Sequence, residues 1–502
     1  MEMRRSPKDP AVSRRSFFQS PIALASGLFG GLVERARAAN DGRRMASEGY
    51  GPVRPAGDYL ALPPGFECSL VSYEGEMMDD GFPVPLAMDG MATFPLTNGN
   101  ILLVRNHEDS EAGNRFRPRP AVTTSTTAGM LVPVLETHYG PRRFAYDAYA
   151  GGGTTSIEWD PRQRRRVREH WSLVGTLRNC AGGPTPWGSW LSCEEATDAS
   201  ASTGYAQNHG YIFEVPLDTT PGAPAAAVPL RHMGRFRHEA VAVDVATGIV
   251  YETEDETDFS GFYRFVPAVK PAKPGDLANT TGELQMLKVN GADRYVTALS
   301  QKVGVALPVS WARVPDADPR TATVTINGET ASAVFQQGLN AGGAIFRRLE
   351  GCWYFEEKIY FTSTNGGDMG LGQVWVHDPK ASTITLLFES SDQHVLDFPD
   401  NIAMSPRGGM VICEDGTGGQ FLRGLSPSGE IFDFARNIFN STEFAGACFS
   451  LDGQTLFVNV YGRSTVRTTS VYGSIVARPI GPERAEKALT LAIWGPWGKG
   501  LL

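Results

Sequence analysis

The feature that most constrains the fold is a segment of β-hairpin pattern that occurs three times. Each copy begins with a side chain that can bind a metal, contains a glycine turn, and ends fifteen positions later with a carboxylate. The copies run from Cys180 to Glu195, from Glu239 to Glu254 and from Asp400 to Asp415. Because the two ends of an antiparallel hairpin lie opposite each other, each copy brings its end residues together, away from the turn.

Short β segments fill the chain from about residue 58 onward. Apolar runs such as GYIFEV, GFYRFV and QTLFVNVY are separated by Gly, Pro or Asp, which is typical of strands joined by turns. Two further segments resemble the repeat loosely, Asp89 to Glu108 and the stretch around Asp452 that follows Glu443. Helical periodicity is confined to GPERAEKALTLAIW near the C-terminus, which predicts one short helix there.

Hairpins arranged radially would bring their acidic ends to one axis, as the blades of a β-propeller do. We therefore predict an all-β chain that folds as a β-propeller of about six blades, with loop insertions and a short C-terminal helix. A double-sheet sandwich with acids placed by coincidence is the alternative.

The N-terminus has the pattern of an export signal. Arg14 and Arg15 precede Ser-Phe-Phe, and a short apolar run leads to ARAAN, as in a twin-arginine signal. The apolar run is too short for a transmembrane helix. We expect a signal peptide over residues 1–39, a linker over 40–57 and a single catalytic propeller domain over 58–502. The protein would then be periplasmic or secreted, without a stable membrane anchor.

Composition narrows the function classes. A formal net charge of -9 argues against a general nucleic-acid binder and suits the binding of hard cations. The six cysteines are dispersed and form no CxxC pair, so neither a zinc knuckle nor a thioredoxin-type motif is indicated.

The carboxylates near the predicted strand ends are candidate metal ligands, because an isolated buried carboxylate is costly and a cation removes that cost. Oxygen ligands suit calcium or magnesium, whereas the Cys180 thiolate suits a transition metal. Both donors together predict a mixed site, with iron or zinc beside calcium. For any single acid, a solvated charge at a hairpin end is the alternative. Arg348 stands two residues before Glu350, where alternation places both on one strand face and a guanidinium could bind phosphate.

Several segments resemble the alkaline phosphatase PhoX family. They are NCAGGPTPWGSWLSCEE, RHE, FRRLEG, PDNIAMSPRGGMVICEDG and EFAGACFSLDGQTLFVN, and the resemblance extends over roughly residues 55–465. It implies a six-bladed propeller, an alkaline phosphatase-type hydrolase of phosphomonoesters, and a cluster of Fe(III) and Ca(II) with a bridging oxo or hydroxide group.

The resemblance also implies roles for individual residues. Cys180, Glu239 and Glu350 would bind iron, and Arg348 would hold the substrate phosphate. The ligands of calcium or of the rest of the cluster would be Glu195, Asp400, Glu414, Asp415 and Glu443. Glu254, at the end of the second hairpin, is predicted as a further ligand. Ser156 follows GGTT where the family has an asparagine that contacts phosphate, so it is the candidate for a second substrate contact.

The resulting hypothesis is metal-assisted phosphoester hydrolysis, in which Cys180 is a ligand and not a nucleophile. The expected partners are small-molecule phosphomonoesters and the twin-arginine export machinery, with the chain a monomer that binds no nucleic acid. Two alternatives remain open. The chain could be a calcium-dependent lactonase-like propeller hydrolase, since PDNIAMSPRGG resembles a motif of such enzymes, or a non-catalytic, secreted, calcium-binding propeller.

Overall fold

Antiparallel β-hairpins make up almost all of the structure, as the apolar runs between turn residues predict. The computed structural model describes residues 49–109, 140–198, 205–426, 429–462, 487–500 and 502. In chain order the strands are β1 (Arg54–Ala56), β2 (Leu60–Leu62), β3 (Glu67–Tyr73), β4 (Met88–Pro95), β5 (Ile101–His107), β6 (Gly152–Asp160), β7 (Arg165–Thr176), β8 (Asn179–Pro184), β9 (Ser189–Glu194), β10 (Ile212–Pro216), β11 (His238–Val243), β12 (Val250–Glu254), β13 (Phe262–Pro267), β14 (Gly282–Val289), β15 (Ala306–Arg313), β16 (Thr323–Ile326), β17 (Glu329–Ser332), β18 (Leu349–Phe355), β19 (Lys358–Ser363), β20 (Gln373–Asp378), β21 (Thr383–Glu389), β22 (Pro399–Met404), β23 (Met410–Glu414), β24 (Phe421–Leu425), β25 (Ile431–Asn437), β26 (Phe444–Phe449), β27 (Leu456–Val460) and β28 (Leu489–Trp494).

Helices are few. The described residues contain two α-helices, α1 (Asp276–Asn279) and α2 (Ala333–Asn340), and three short 3-10 turns at Arg142–Phe144, Arg231–Met233 and Trp497–Lys499. Ser332 caps α2, because its hydroxyl accepts a hydrogen bond from the Phe335 backbone N–H. Neither helix in the described part of the chain reaches the length and apolar character that crossing a membrane requires.

The sheets are blades that surround one axis. Their strand orders are β4-β5-β6-β7, β8-β9-β10, β11-β12-β13-β14-β15-β21-β20-β19-β18, β22-β23-β24-β25-β2-β1 and β26-β27-β28-β3, and β16-β17 is a separate hairpin. In cyclic order, the inner strands β4, β8, β11, β18, β22 and β26 each pack against the next, and β26 returns to β4. The predicted all-β propeller is confirmed, and the sandwich alternative is wrong.

A β-bulge interrupts each of these inner strands near its start. The shifts in register fall between Met88 and Met91, Asn179 and Gly182, His238 and Val241, Leu349 and Cys352, Pro399 and Ile402, and Ala445 and Cys448. A bulge leaves extra residues unpaired and redirects their side chains. In five of the six strands the first of these extra residues is a carboxylate or a cysteine.

Close approach between neighbouring inner strands requires glycine at the second hairpin. A Cβ atom on Gly183 would lie 2.0 Å from the carbonyl oxygen of Val241 in β11, and one on Gly182 would lie 1.9 Å from that of Leu191 in β9. Only glycine lets β8 lie this near both neighbours.

The ring closes where the N-terminal strand β3 pairs with the C-terminal strand β28 in the last blade. Arg105 of the first blade crosses this junction with no exposed surface. Its guanidinium donates to Ser72 Oγ (2.8 Å) in β3 and Thr490 Oγ1 (2.6 Å) in β28, and pairs with Glu169 Oε1 (2.6 Å) in β7. One side chain therefore connects the first blade to both strands that complete the last.

The predicted N-terminal boundary of the domain needs correction. The linker predicted over residues 40–57 includes β1, and Tyr50 packs edge-on against Phe66 and Trp497, so the fold begins earlier than residue 58. The signal peptide predicted over 1–39 lies outside the described residues.

The C-terminal helix predicted from GPERAEKALTLAIW is wrong for Leu489–Trp494, which forms β28. Residues 481–486 of this stretch lie outside the described part. A short apolar run suits either element, and pairing of β28 with both β27 and β3 decides for the strand.

We predict that Arg105→Met lowers the free energy of unfolding by roughly 3 kcal/mol, because it removes the buried charge partner of Glu169 Oε1 and leaves that acid only Arg166, at Oε2. Urea denaturation of the purified protein measures this loss. The control is Arg168→Met in the same blade, because the Arg168 side chain is 41% exposed and its partner Glu158 keeps hydrogen bonds from Asn98 and Asn100. It should cost less than about 1 kcal/mol. Equal losses in the two variants would show that Arg105 does not stabilise the junction.

Candidate metal centre

The ends of the hairpins meet at the axis of the propeller in an equivalent way. In each, the residue after the second strand donates its backbone N–H to the carbonyl of the residue before the inner strand. These bonds join Glu108 to Ala87, Glu195 to Arg178, Asp255 to Arg237, Thr364 to Arg348, Asp415 to Phe398 and Tyr461 to Glu443, at 2.8–3.1 Å. Each hairpin therefore presents a residue from its bulge and one from its second strand at the same level.

Seven side chains at this level form one continuous cluster of potential metal ligands. The ligand atoms lie within 4.8 Å of one another in each of three groups, which are Asp89, Glu108 and Cys180; Cys180, Glu195 and Glu239; and Glu239, Glu350 and Asp400. Cys180 and Glu239 each belong to two groups and so connect all three. The sequence predicts five of the seven as ligands, all except Asp89 and Glu108.

The burial and hydrogen bonding of Glu239 indicate whether these residues could bind a metal. It is 1% exposed, and neither of its carboxylate oxygens has a hydrogen-bond partner among the described residues. Burial, followed by the nearby charges of Asp400 and Glu195, raises its pKa well above the usual value. A buried carboxylate without hydrogen bonds is unfavourable unless a cation or a proton neutralises it. The donor set therefore fits cations that prefer oxygen, with one thiolate beside them.

Cys180 is surrounded by carboxylates. Its Sγ lies 3.5 Å from Glu195 Oε2, and it is 8% exposed. Burial, and then the charges of Glu239, Glu108 and Asp89, raises the pKa of the thiol well above its usual value. A thiolate here needs a neighbouring cation, so this environment favours a metal ligand over a free nucleophile.

Three arginines lie over the cluster. Arg178 contacts Glu108 (2.8 Å) and Glu195 (2.6 Å), and Arg237 also pairs with Glu195. Arg348 pairs with Asp255 through Nε (3.2 Å) and with Glu350 through Nη2 (2.5 Å). The carboxyl groups at the axis outnumber these guanidinium groups, so the arginines neutralise only part of the negative charge.

Asp255, Asp415 and Glu443 extend the acidic region beyond these seven side chains. Burial raises the pKa of Asp255 to about 6, with Arg348 opposing the shift. Burial raises the pKa of Glu443 well above its usual value, and the nearby Asp415 adds to the shift. Asp415 also lies 3.7 Å from Arg348. The structure therefore brings the predicted residues Asp415 and Glu443 to the margin of the cluster.

Glu254 and Glu414 are not part of this cluster. Glu254 accepts hydrogen bonds from Tyr263 Oη (2.6 Å) and the Gly261 N–H (3.0 Å), and Glu414 is bound by Arg423 Nε (2.7 Å). Adjacent residues of a strand point to opposite sides, so the carboxylates that follow them, Asp255 and Asp415, face the axis.

Ser156 is not brought to the cluster either. It lies within β6, opposite Val104 of β5 and His170 of β7, and has no exposed surface. Its hydroxyl is fully buried within the blade, so a substrate at the axis cannot reach it.

Sequence reasoning missed Asp89, Arg178 and Arg237, although a signal for the arginines was present, and it counted Glu108 among the acids near strand ends without assigning it as a ligand. Arg178, Arg237 and Arg348 each stand two positions before Cys180, Glu239 and Glu350, in RNC, RHE and RLE. Asp89 and Glu108 are the ends of the looser repeat. Its turn region is longer, so the spacing alone does not show that these two acids correspond to the ends of the other hairpins.

Comparison with known proteins identifies the family. Residues 48–463 match the family model described as alkaline phosphatase PhoX. The chain belongs to the alkaline phosphatase PhoX family. It is therefore an alkaline phosphatase-type phosphoric monoester hydrolase, as predicted, and membership favours this function over the lactonase-like and non-catalytic alternatives. The family is metal-dependent, in agreement with the acidic groups at the axis.

One solved structure supports the fold, and two others show weaker similarity. Pseudomonas fluorescens PhoX, in complex with the transition-state analogue vanadate, has a TM-score of 0.63 at 17% identity, over 92% of this chain and 99% of that one. A luciferin-regenerating enzyme matches with a TM-score of 0.40 at 10% identity (86% and 96% covered). A Xanthomonas campestris gluconolactonase matches with a TM-score of 0.37 at 12% identity (88% and 99% covered). The comparison with curated proteins gives no match.

We predict that the metal-free PhoX-family protein is less stable at pH 8.5 than at pH 5.5. Burial raises the pKa of Glu254 and of Asp400 to about 8 and that of Glu414 to about 7. An acid with a raised pKa in the folded state stabilises that state while it is protonated, and this stabilisation is lost as the pH rises from about 4 to about 8. Melting temperatures of chelator-treated protein measure the change.

Added calcium should reduce this pH dependence, since cations replace protons at the axis. Glu254→Gln, which cannot ionise, should make the metal-free protein less sensitive to pH. A melting temperature that is constant or increases between pH 5.5 and 8.5 would contradict the assignment of buried, neutral acids.

Proposed function

We propose that this chain is an exported phosphatase that hydrolyses small-molecule phosphomonoesters at an iron–calcium cluster on the propeller axis. The observation that supports it most directly is the continuous set of seven ligands, in which Cys180 and Glu239 are shared between neighbouring groups. Shared ligands suit adjacent cations, because one carboxylate or thiolate can serve two of them. Family membership supplies the reaction class.

The proposed ligands fall into an iron group and a calcium group according to their donor atoms and positions. Cys180, Glu239 and Glu350 would hold iron, because a thiolate favours a transition metal and both carboxylates belong to groups that connect to it. Asp89, Glu108, Glu195 and Asp400 would hold calcium, with Asp415 and Glu443 at the margin. When bound, such a cluster acts as a Lewis acid toward phosphate oxygens and generates the nucleophile near neutral pH.

Arg348 would orient the phosphoryl group. Asp255 and Glu350 fix its guanidinium from two sides through Nε and Nη2, and its side chain remains 27% exposed. The adjacent acids raise its pKa, so it stays charged at every pH at which the protein is folded. A fixed, charged fork beside the cluster can bind phosphate oxygens and stabilise charge that develops on them.

Export would follow the twin-arginine route, since Arg14 and Arg15 lie in a sequence that resembles its signal. The family is an exported one, which is consistent with this route. The mature protein would be periplasmic or secreted and act as a monomer.

We expect the purified protein to contain iron and calcium and to hydrolyse p-nitrophenyl phosphate. Chelation should abolish the activity and added calcium should restore it, because the cations neutralise charge at the phosphoryl group. Elemental analysis coupled to the phosphatase assay measures both, with gluconolactone as the alternative substrate. Lactone hydrolysis without phosphatase activity, or full phosphatase activity in the metal-free protein, would refute the proposal.

Cys180→Ala should lose bound iron and at least roughly 100-fold in kcat, because the thiolate connects two groups of ligands. The matched control is Cys448→Ala, since Cys448 is equally a buried thiol but lies in an apolar cluster with Val71 and Phe457. The control should keep its iron. Retention of full iron and activity in Cys180→Ala would show that the cysteine is not a ligand.

A further inference from the structure

Arg178, Arg237 and Arg348 form an arc of equivalent side chains. Each precedes the start of an inner strand, β8, β11 or β18, and these strands are neighbours around the ring. The arc is continuous, because Arg178 and Arg237 hold the two oxygens of Glu195, and Arg237 and Arg348 hold those of Asp255. We call these three residues the arginine arc.

The arc forms the water-facing layer of the site. The arginine side chains are 32%, 30% and 27% exposed, whereas those of Glu195 and Asp255 are 4% and 8% exposed. The guanidinium groups therefore lie between the solvent and the buried carboxylates. A substrate that approaches the cluster from solvent meets the arc first.

Each guanidinium also has N–H groups that donate no hydrogen bond to the described residues. Arg178 and Arg348 use Nε and Nη2 for their carboxylates, and Arg237 uses Nη2. The Nη1 group of all three, and Nε of Arg237, makes no hydrogen bond with any residue in the described part of the chain. Arg237 Nε is buried, so the Nη1 groups of these partly exposed side chains are the donors suited to an external anion.

Two of these arginines have an energetically unfavourable backbone conformation. Arg178 and Arg348 have φ values of 49° and 37°, in the left-handed region that side chains with a Cβ rarely adopt. The equivalent residues of two other blades, Ala87 and Phe398, have φ values of 49° and 55°, so the geometry of the blade imposes this conformation and fixes the point from which each arginine side chain extends.

One phosphoryl group does not need three guanidinium groups. Arg348 is fixed beside Glu350 and Asp400, and Arg237 shares Asp255 with it. Arg178 shares no carboxylate with Arg348 and pairs instead with Glu108 and Glu195, on the far side of Arg237. Glu195 occupies the position between Arg178 and Arg237, but the Nη1 groups of both arginines are unpartnered among the described residues, so the arc offers a second place for an anion beside these two side chains.

We propose that Arg178 and Arg237 bind a second anionic group of the substrate, so that the enzyme prefers phosphomonoesters that carry a carboxylate or a further phosphate. This inference rests on the proposed phosphatase function and specifies its substrate class. Arg348 orients the phosphoryl group that reacts, and Arg178 with Arg237 determines which leaving groups are favoured.

A pair of unreactive analogues tests binding directly. Propylphosphonate and 3-phosphonopropionate have chains of equal length and differ in a terminal methyl or carboxylate group. Calorimetry on the metal-loaded protein should give a Kd for 3-phosphonopropionate lower by roughly tenfold, the effect of one charged hydrogen-bonded contact. Equal or weaker binding of 3-phosphonopropionate by the wild-type protein would overturn the proposal without any variant.

Variants assign the effect to the arc. In Arg178→Gln and Arg237→Gln the advantage of 3-phosphonopropionate should fall to less than about threefold, and Arg178→Lys should keep part of it because the charge remains. Arg231→Gln is the matched control, since Arg231 is a partly exposed arginine paired with Asp318 outside the site, and it should keep the full advantage. An undiminished advantage in either arc variant with bound metal would exclude that residue as the anion contact.

Kinetics provides a second readout. The ratio of kcat/KM for 3-phosphoglycerate to that for glycerol 3-phosphate should fall roughly tenfold in Arg178→Gln and Arg237→Gln. Arg348→Gln should lower both values and leave the ratio within about threefold. A ratio near one in the wild-type protein overturns this inference alone. A metal-loaded protein that hydrolyses neither these substrates nor p-nitrophenyl phosphate refutes the proposed function itself.

Discussion

Repulsion among buried carboxylates is the constraint on which the rest of this structure depends. Asp89, Glu239, Glu350 and Asp400 lie at one level of the axis, with their pKa values raised by burial and by one another. Ion pairs with arginines neutralise the acids nearest the solvent, but neither carboxylate oxygen of Glu239 has a hydrogen-bond partner among the described residues. Cations at the axis would turn this repulsion into attraction, so metal binding and folding stability are coupled.

The propeller holds these groups together by repetition. Each inner strand begins with a bulge, and each second strand ends with the same backbone bond, so successive blades place their side chains at equivalent positions. Arg105, at the junction of the first and last blades, secures the ring that keeps those positions at one level. The chemistry of the site then depends only on which residue each blade supplies.

Much of the site could be predicted from sequence, and its errors have one physical origin. Cys180, Glu195, Glu239 and Asp400 could be identified because hairpin geometry brings strand ends together, whereas Glu350 followed only from the resemblance to the family. Glu254 and Glu414 were placed at the axis because spacing cannot show which of two adjacent acids faces inward once a bulge shifts the register. The prediction for Ser156 was wrong for a similar reason, since the burial of its hydroxyl depends on how the neighbouring strands pack in the folded blade.

By itself the sequence determined the all-β class, the hairpin units and the donor types of the centre, because these follow from local alternation, turn residues and side-chain chemistry. Tertiary structure decided three things. Leu489–Trp494 forms a strand of the last blade. Asp255, and not Glu254, faces the axis, and Arg178, Arg237 and Arg348 lie in one arc. Each depends on contacts between residues far apart in the chain, which the closing of the ring brings together.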